Sequence, residues 1–262
     1  MRRIALISDI HGNSTALDAV LADIDASGVR EVFCLGDLVG YGPDPRGAIA
    51  LVRERGIPCI RGNYDDGIGF RRKGCGCFYA TPEAKADGDA SYKFTDAILS
   101  DEDRAWLASL PELRRLEMGG LRVLLAHGSP RKINEYLMPD RPESQLVRLA
   151  ESAEADVVCV GHVHMPYHRV MDGSGGRRIH YVNAGSVGKP KDGDPRACWV
   201  EVVLLDAAEP APLAEVFEPA GGGESWVGSV VHRVGYDVGS VASAVIAAGL
   251  PATLAEALRA GA

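Results

Sequence analysis

Five short polar motifs, each following a run of apolar residues, constrain this chain more than any other feature of its sequence. Each motif supplies a carboxylate, amide or imidazole group, and none of the candidate ligands is a thiolate. In chain order they are Ser8-Asp9-Ile10-His11-Gly12, Gly36-Asp37, Gly62-Asn63-Tyr64-Asp65, Ala126-His127-Gly128 and Gly161-His162-Val163-His164. Oxygen and nitrogen donors of this kind suit borderline or hard divalent cations. The fold is therefore expected to bring distant segments together at a metal site.

The N-terminal part of the sequence alternates apolar strand-like runs with amphipathic helices, which is the pattern of βαβ units in an α/β fold. Strands are predicted at residues 3–8, 31–35 and 57–60, and the helices between them end near Gly28 and Gly56. A ligand motif follows each of the three strands. Because loops at the carboxyl ends of strands gather at one edge of such a sheet, we expect these motifs to converge on one crevice.

The later part of the sequence predicts further strands and a helical C-terminal end. Residues 66–90 show little apolar periodicity and are expected to form a long irregular segment on the rim of the crevice. The later strands are expected to be antiparallel, giving two sheets, and a helical hairpin is expected from Asp237 onward. The predicted elements are helices at residues 90–99, 101–109 and 143–152 and strands at residues 113–118, 121–126, 157–160, 168–171, 178–182, 198–205 and 230–234.

Composition and charge are those of an ordinary globular protein with a substantial core. The chain has 262 residues, of which 46% are hydrophobic and 24% are charged. We expect one domain over residues 1–262, with a core to about residue 205 and a C-terminal strand and helical extension over about residues 206–262. The net charge of -8 argues against a broad nucleic-acid surface, because such surfaces cluster Lys and Arg against phosphates. Any phosphate recognition is therefore expected to be local.

The N-terminal segment and the cysteines indicate a cytoplasmic protein. Only about six apolar-rich residues precede Asp9, too few for a signal-peptide core or a membrane span. The six cysteines show no small-scaffold spacing, so a disulfide framework is not expected. Cys75 and Cys77 lack the second pair that a structural zinc site needs, and we favour neither a metal-binding nor a redox role for them.

The five motifs together resemble those of the calcineurin-like metallophosphoesterases, and the resemblance runs from Arg2 to about Leu205. Members of that family carry D-x-H, GD, GNH-D/E and GHxH motifs and an isolated histidine after a strand, in the order found here. The resemblance implies a four-layer α/β/β/α sandwich of two mixed sheets, to which the predicted C-terminal helical hairpin is added. It also implies hydrolysis of phosphate esters.

The resemblance further implies a site for two divalent metal ions that Asp37 would bridge. One ion would be held by Asp9, His11, Asp37 and His164, and the other by Asp37, Asn63, His127 and His162. Manganese, iron, zinc and nickel are all candidates, because imidazole and carboxylate ligands admit each of them. The implied reaction is hydrolysis of a small or nucleotide-like phosphodiester or phosphomonoester by a metal-bridging hydroxide. Because imidazoles coordinate only when neutral, activity is expected to fall as the pH drops through the histidine range.

Tyr64 departs from the family pattern, because the GNH motif has a histidine there that is thought to protonate the leaving oxygen or stabilise the transition state. A tyrosine, with a reference pKa of about 10, is a poorer proton source at neutral pH. We therefore expect diesters, cyclic esters or anhydrides with good leaving groups, or a substitute proton donor such as His168. Asp65 is expected to orient Tyr64 through a hydrogen bond. The predicted catalytic residues are Asp37, Asn63, Tyr64 and Asp65.

Other features near the motifs refine this interpretation. The Gly40-Tyr41-Gly42 run replaces an Asp-Arg pair of protein Ser/Thr phosphatases and looks more like bacterial predicted phosphodiesterases. Residues 183–188 are expected to form a tight turn rather than a phosphate cradle. His180 and His232 are expected to be structural residues without polar partners. Isolated basic residues are more often solvated than substrate-binding, which applies to Arg61, Arg131, Lys189 and Lys191.

Two other functions stay open. A binding scaffold that has lost catalysis is compatible with Tyr64, although the complete ligand set argues against it. A nuclease is disfavoured by the acidic composition and by the lack of a basic stripe interleaved with aromatic residues. The expected partner is a small phosphate-ester substrate, with neither a membrane nor a nucleic acid. The sequence does not decide whether the chain forms a homo-oligomer.

Overall fold

Two five-stranded mixed sheets lie face to face at the centre of the fold. The computed structural model describes residues 1–206, 216–223 and 225–262. The start of the predicted C-terminal extension, at residues 207–215, lies outside the described residues, as does residue 224. The described strands are β1 (Arg2–Ile7), β2 (Glu31–Cys34), β3 (Leu113–Met118), β4 (Leu121–Ala126), β5 (Val157–Val160), β6 (Tyr167–Asp172), β7 (Arg178–Asn183), β8 (Ala197–Asp206), β9 (Val216–Ala220) and β10 (Ser225–Val234). The described helices are α1 (Ser14–Ser27), α2 (Pro45–Glu54), α3 (Asn63–Gly69), α4 (Pro82–Ile98), α5 (Asp101–Ser109), α6 (Glu143–Ser152), α7 (Val238–Ala247) and α8 (Ala252–Ala260).

The first sheet has the strand order β2-β1-β8-β10-β9, and the second has the order β3-β4-β5-β7-β6. In the first sheet β1 and β2 are parallel and the other neighbours are antiparallel. In the second sheet β4, β5 and β7 are parallel, and only the outer strands are antiparallel to their neighbours. The expectation of antiparallel later strands is therefore wrong for β5, because α6 provides a crossover that returns the chain in the same direction. It is wrong for β7 as well.

Alternating side chains on the central strands build four layers, because successive residues of a strand point to opposite faces of its sheet. On β1, Leu6 lies in the core between the sheets, whereas Ile7 packs with the apolar faces of α1 and α2. On β5, Cys159 lies between the sheets, whereas Val160 packs with α6. Helices thus cover the outer face of each sheet. This confirms the α/β/β/α arrangement.

The helices next to the ligand motifs begin and end at residues that indicate such boundaries in the sequence. α1 follows Asn13, whose side chain accepts a hydrogen bond from the backbone N–H of Ala16 at 3.0 Å. It ends at Gly28, which has a left-handed backbone with φ 77°. α2 begins with Pro45 after the capping residue Asp44. These boundaries hold the loops after β1 and β2 between fixed helix ends.

The predicted C-terminal helical hairpin is formed by α7 and α8. Val245 and Leu254 lie in the apolar cluster of the two helices, and Tyr41 and Phe94 pack against that cluster. The hairpin is thereby attached to the loop that follows Asp37. Within the ranges that the structure describes, no helix is both long enough and apolar enough to span a membrane.

Two segments differ from the prediction. Residues 57–60 form only a single parallel bridge, between Cys34 and Cys59, instead of a third strand. Pro58 has no N–H to donate to a ladder, which accounts for the interruption. Residues 66–90 are more helical than expected, since they include the end of α3 and the start of α4 at Pro82. Charged residues, and glycines such as Gly88, break the apolar periodicity on which the prediction depended.

The end of the first sheet was also only partly predicted. β9 was missed, and β10 begins at Ser225 rather than at Val230. Pro219 and Gly228 interrupt the apolar pattern of these strands. Both residues are tolerated because β9 is an edge strand and because pairing on both sides holds β10.

His168 and His180, of which His180 is fully buried, form a hydrogen-bonded chain that the sequence did not predict. His168 Nε2 lies 2.8 Å from His180 Nδ1, and His168 Nδ1 lies 2.8 Å from Ser229 Oγ. His180 Nε2 lies 2.8 Å from the carbonyl oxygen of Pro219. Burial lowers the pKa of His168 to about 3, so the ring stays neutral. The chain links the two sheets and uses both nitrogens of His168. This removes His168 as a substitute proton donor.

His232 also has partners, contrary to the prediction. Its ring stacks on that of Trp199 with a centroid distance of 3.8 Å, and its Nε2 lies 3.5 Å from Glu201 Oε2. Glu201 in turn accepts a hydrogen bond from Arg3 Nε at 2.5 Å. The role of His232 is structural, as expected, but its ring is held by the stacked Trp199 and lies beside Glu201 rather than in apolar surroundings alone.

Candidate metal centre

The seven predicted ligands meet in one buried cluster at the carboxyl ends of four strands. Each follows the end of β1, β2, β4 or β5, except for one that opens α3. All seven side chains are buried, and they are Asp9, His11, Asp37, Asn63, His127, His162 and His164. All four strands run parallel to a neighbour that also contributes a ligand, since β1 pairs with β2 and β4 pairs with β5. The convergence expected from the strand order is thus present.

The first group of ligand atoms comes from Asp9, His11 and His164. Asp9 Oδ1 lies 3.2 Å from His164 Nε2 and 3.7 Å from His11 Nε2. The two Nε2 atoms of His11 and His164 lie 3.2 Å apart. A metal with bonds of about 2.1 Å to nitrogen or oxygen places neighbouring ligand atoms about 3 Å apart or slightly more. The group therefore fits one divalent ion.

The second group comes from Asn63, His127 and His162, together with Asp37. His127 Nε2 lies 3.0 Å from Asn63 Oδ1 and 3.4 Å from Asp37 Oδ2. Asp37, His127 and His162 each offer a ligand atom, and these atoms all lie within 4.8 Å of one another. This group also fits one divalent ion.

Asp37 lies between the two groups. Its Oδ2 is 3.7 Å from His11 Nε2 in the first group and 3.4 Å from His127 Nε2 in the second. Its Oδ1 accepts a hydrogen bond from the backbone N–H of Tyr64 at 2.8 Å, which fixes the orientation of the carboxylate. One oxygen is thus held by the protein, and the other faces both groups. This is the geometry that a bridging ligand needs.

Backbone carbonyls fix the protonation of three of the histidines. Because a carbonyl oxygen can only accept, the Nδ1 atom facing it carries the proton, and a neutral ring then presents a lone pair at Nε2. The three pairs are His11 with Val39 at 3.0 Å, His127 with Leu35 at 2.7 Å and His164 with Lys189 at 2.5 Å.

His11 and His164 consequently direct two lone pairs at each other. Burial lowers the pKa of both imidazoles, that of His164 to about 3, so neither carries a second proton at neutral pH. Two acceptors 3.2 Å apart repel unless a cation lies between them or beside them. The arrangement is therefore suited to a metal ion and is unfavourable without one.

His127 illustrates the competition between a proton and a metal. Burial lowers the pKa of His127, but the carboxylates of Asp37 and Asp9 outweigh burial and bring it to about 10. In contrast, burial and the neighbouring His127 lower the pKa of His162 to about 3. A cation at this position, whether a proton or a metal ion, is thus favoured by the two carboxylates. A metal must displace the proton from His127 to bind.

Two buried polar atoms of the cluster have no hydrogen-bond partner within the described residues. They are Asp9 Oδ1 and His162 Nε2. A buried polar atom without a partner costs free energy comparable to its desolvation, on the order of 1–3 kcal/mol. Asn63 also presents an oxygen to the cluster. Its Nδ2 donates a hydrogen bond to the carbonyl of Cys75 at 3.1 Å, so its Oδ1 faces His127.

The backbone of the ligand loops is strained where the ligands lie. Five of the seven predicted ligands have left-handed backbones, with φ between 49° and 67°: Asp9, His11, Asp37, His162 and His164. Such conformations cost about 1–3 kcal/mol each for residues other than glycine and concentrate at functional sites. The fold therefore maintains this geometry against a local preference for other conformations.

Ser8 and Gly161 position the ligands and were not singled out from the sequence. Asp9 Oδ2 accepts hydrogen bonds from Ser8 Oγ at 2.6 Å and from the backbone N–H of His162 at 2.9 Å. Gly161 is required for this approach, because a Cβ there would lie 2.0 Å from Ser8 Oγ and 2.7 Å from Asp9 Oδ2. Both residues are adjacent to predicted ligands, but the contact between the loops is visible only in three dimensions.

Asp65 orients the loop of Asp37 rather than the side chain of Tyr64. Its carboxylate accepts hydrogen bonds from the backbone N–H groups of Asp37 at 2.8 Å, Leu38 at 2.9 Å and Gly62 at 3.0 Å. This corrects the expected hydrogen bond to Tyr64. Burial and the Asp37 carboxylate raise the pKa of Asp65 to about 7, while the N–H groups of Gly62 and Leu38 act in the opposite direction. Asp65 thus joins the loops after β2 and before α3.

Tyr64 is buried, and its hydroxyl faces other tyrosines. Tyr64 Oη lies 3.3 Å from Tyr79 Oη, and the Tyr64 ring meets the His11 ring edge-on with centroids 5.4 Å apart. Burial, with Tyr41 and Tyr79 nearby, raises the pKa of Tyr64 well above its ordinary value. The phenol therefore stays protonated, which supports the expectation of a poor proton source. Tyr136, whose ring lies 4.2 Å from that of His162, was not predicted as part of the site.

The other candidate residues have different outcomes. Arg61 is buried and bonded to Asp66, Glu112 and two backbone carbonyls, so it is structural rather than a solvated surface group. Arg131 pairs with Glu135. Burial lowers the pKa of Lys189 to about 7 and also lowers the pKa of Lys191.

Residues 183–188 form a structural turn, as expected. Asn183 Oδ1 accepts from the N–H of Gly185 at 2.9 Å, and Ser186 Oγ donates to the carbonyl of Asp9 at 2.7 Å. The N–H of Gly188 donates to the same carbonyl at 3.0 Å. These donors hold the loop of Asp9 and are not free to bind a phosphate.

Cys75 and Cys77 are joined by a disulfide that the sequence analysis did not predict. Gly76 between them has φ 69°, and this left-handed conformation turns the chain so that the two sulfurs meet. Cys77 Sγ lies 3.2 Å from Asn63 Nδ2. The pair is therefore in contact with a predicted metal ligand, a proximity that sequence spacing does not reveal.

Comparisons with known proteins agree with this geometry. The profile of the calcineurin-like phosphoesterase superfamily domain matches residues 1–208. An uncharacterized protein from Methanocaldococcus jannaschii is 32% identical over 208 residues, which are 75% of this chain and 80% of that protein. The crystal structure of a metallophosphoesterase from Sphaerobacter thermophilus is 31% identical, covers 99% of this chain and 100% of its own, and has a TM-score of 0.69.

A hypothetical protein from Pyrococcus horikoshii has the same fold. It is 22% identical, has a TM-score of 0.76, and the match covers 100% of this chain and 99% of that one. The profile match spans most of the sequence and includes all five motifs. The chain therefore belongs to the calcineurin-like phosphoesterase superfamily.

Proposed function

We propose that this protein is a phosphoesterase that uses two divalent metal ions to hydrolyse a small or nucleotide-like phosphodiester or phosphomonoester. The observation that carries the proposal is the position of Asp37 Oδ2, which faces two groups of buried ligand atoms at once. Membership of the phosphoesterase superfamily supports the reaction class. The two buried polar atoms of the cluster that have no hydrogen-bond partner among the described residues support the presence of cations.

Asp37 would serve both ion positions, and the remaining ligands would divide between them. Asp9, His11 and His164 would hold the first ion, and Asn63, His127 and His162 would hold the second. The donor set contains imidazoles, carboxylates and one amide, which admits manganese, iron, zinc or nickel. Two divalent ions outweigh the charges of Asp9 and Asp37, so the bound site carries a local positive charge within an acidic chain.

The ions, when bound, supply a water of lowered pKa and positive charge that stabilises the phosphoryl oxygens. The residues of the chain provide the organisation. The carbonyls of Val39, Leu35 and Lys189 keep three imidazoles in the tautomer that coordinates through Nε2. The N–H of Tyr64 fixes the bridging carboxylate. Because these groups are already oriented in the fold, little reorganisation is needed when a substrate binds.

Tyr64 restricts the leaving groups that the site can expel. Its phenol keeps its proton and faces Tyr79, so it does not supply the acid that a poor leaving group needs. Esters and anhydrides whose leaving groups depart without protonation are therefore favoured. The preference for diesters, cyclic esters and anhydrides therefore follows from the properties of Tyr64 and not from the metal ligands.

We expect the metal-loaded protein to hydrolyse bis-p-nitrophenyl phosphate, and we expect Asp37→Asn to reduce kcat/KM by at least about 100-fold because the bridging charge is lost. The assay measures p-nitrophenolate release with Mn²⁺, Zn²⁺, Fe²⁺ or Ni²⁺ in turn. Far-UV circular dichroism controls for folding. If the wild-type protein binds metal but hydrolyses neither this diester nor p-nitrophenyl phosphate, the scaffold interpretation replaces the phosphoesterase.

Tyr64→His is expected to raise kcat for a monoester with a poor leaving group, such as phenyl phosphate, by about tenfold or more, because an imidazolium can donate a proton. Tyr64→Phe is the matched control. It keeps the buried ring and removes only the hydroxyl, so hydrolysis of bis-p-nitrophenyl phosphate should change by less than about twofold. Equal turnover of phenyl phosphate by wild type and Tyr64→His, with both variants folded, would remove the proposed role of this position.

Asp65→Asn is expected to weaken metal binding by about 10-fold to 100-fold, although Asp65 is not a ligand. An asparagine presents an N–H₂ group to at least one of three backbone donors and so disturbs the loop of Asp37. Titration calorimetry with Mn²⁺ measures the affinity, and thermal unfolding without metal measures the effect on the fold separately. An unchanged affinity would show that this carboxylate does not position Asp37.

A further inference from the structure

Lysines are rare in this chain and are concentrated around one cleft. The sequence has six lysines against 22 arginines. Three of the six, Lys73, Lys85 and Lys93, line a cleft of about 380 Å³ next to the candidate metal centre. A chain with a net charge of -8 thus has a local concentration of positive charge at this cleft. Such a cleft focuses the field on anions that enter it.

One wall of the cleft is a loop, and the other is one face of α4. The loop contributes Lys73 through Cys77 and Tyr79. The helix contributes residues spaced three, four, seven or eight positions apart, which share one face of a helix: Lys85, Gly88, Asp89, Tyr92 and Lys93. The hydroxyl of Tyr92 donates to the carbonyl of Arg72 at 2.9 Å and ties the two walls together. The cleft is thus part of the folded structure.

The charges that line the cleft do not cancel. Lys85 Nζ lies 2.6 Å from Asp89 Oδ2, so this pair is neutral overall. Lys73 and Lys93 form no hydrogen bond or ion pair with any residue in the part of the chain that the structure describes. Most of the arginines, by comparison, have carboxylate partners. Two ammonium groups are therefore available for an anion.

Two contacts join the walls of the cleft to residues at the metal centre. The carbonyl of Cys75, on the loop wall, accepts a hydrogen bond from Nδ2 of the ligand Asn63 at 3.1 Å. Tyr79 Oη lies 3.3 Å from Tyr64 Oη, beside the ring of His11. Gly88 permits this position of Tyr79, because a Cβ there would lie 2.2 Å from Tyr79 Oη. A substrate that reaches both places would be held at one end by the metal centre.

We propose that the cleft lined by Lys73, Lys85 and Lys93 binds a second phosphate group of the substrate, beyond the one that is hydrolysed. This inference rests on the proposed phosphoesterase function and assigns its substrate class: phosphate esters or anhydrides with at least one additional phosphate, as in nucleotides. Lysine ammonium groups bind phosphate as point charges. The volume is also large enough for more than a phosphate alone.

Calorimetry on metal-free protein tests the cleft independently of catalysis. ADP, AMP, adenosine and pyrophosphate are titrated in turn into protein treated with a chelator. We expect ADP to bind and adenosine not to bind, and Lys73→Gln with Lys93→Gln to weaken ADP binding by about 10-fold to 25-fold, about three- to fivefold for each exposed ammonium. Lys132→Gln is the matched control, because Lys132 is exposed and lies outside the cleft. Pyrophosphate binding as tight as that of ADP would identify an inorganic polyphosphate rather than a nucleotide as the source of the phosphate.

A kinetic comparison then tests whether the cleft contributes to substrate binding during the reaction. The double lysine variant should raise KM for the p-nitrophenyl ester of thymidine 3′,5′-bisphosphate by about tenfold and leave KM for bis-p-nitrophenyl phosphate unchanged. The inference is overturned if ADP does not bind, or if the double variant binds ADP as the wild type does. If ADP binds as expected but no ester is hydrolysed with any metal, the cleft stands and the proposed hydrolysis fails.

Discussion

The repulsion between buried lone pairs is the constraint on which the rest of this structure depends. His11 and His164 each donate a hydrogen bond from Nδ1–H to a backbone carbonyl, and their Nε2 atoms are left 3.2 Å apart. Asp9 Oδ1 is 3.2 Å from His164 Nε2 and has no hydrogen-bond partner within the described residues. A cation bound among these three atoms would remove the repulsion between all of them. The bridging position of Asp37 extends the same argument to a second cation.

The packed sheets and helices hold the ligand loops in this unfavourable arrangement. The ligands lie on loops that begin at the ends of buried strands, and left-handed backbones turn five of them into the cluster. Ser8, Gly161 and Asp65 then fix those loops against one another through short contacts. The free energy of a well-packed core offsets the local strain. Metal binding, in turn, is expected to stabilise the fold because it removes the repulsion.

The sequence predicted the ligands and most of the strands, because both have a signal that is local in the chain. The motifs around Asp9, His127 and His162 directly follow apolar runs, and those runs became β1, β4 and β5. The direction of β7, the role of Asp65 and the Cys75 loop were not predicted. Each of these depends on contacts between distant segments, such as the three N–H groups that converge on Asp65. The lysine cleft was missed for the same reason, since its walls come from separate elements.

Anomalous diffraction from crystals grown with Mn²⁺ tests the central claim most directly. The account predicts two anomalous peaks, one contacting Asp9, His11 and His164 and the other contacting Asn63, His127 and His162. A single oxygen of Asp37 should contact both peaks. Manganese bound only elsewhere on the protein, with His11 and His164 still facing each other at their present distance, would contradict it.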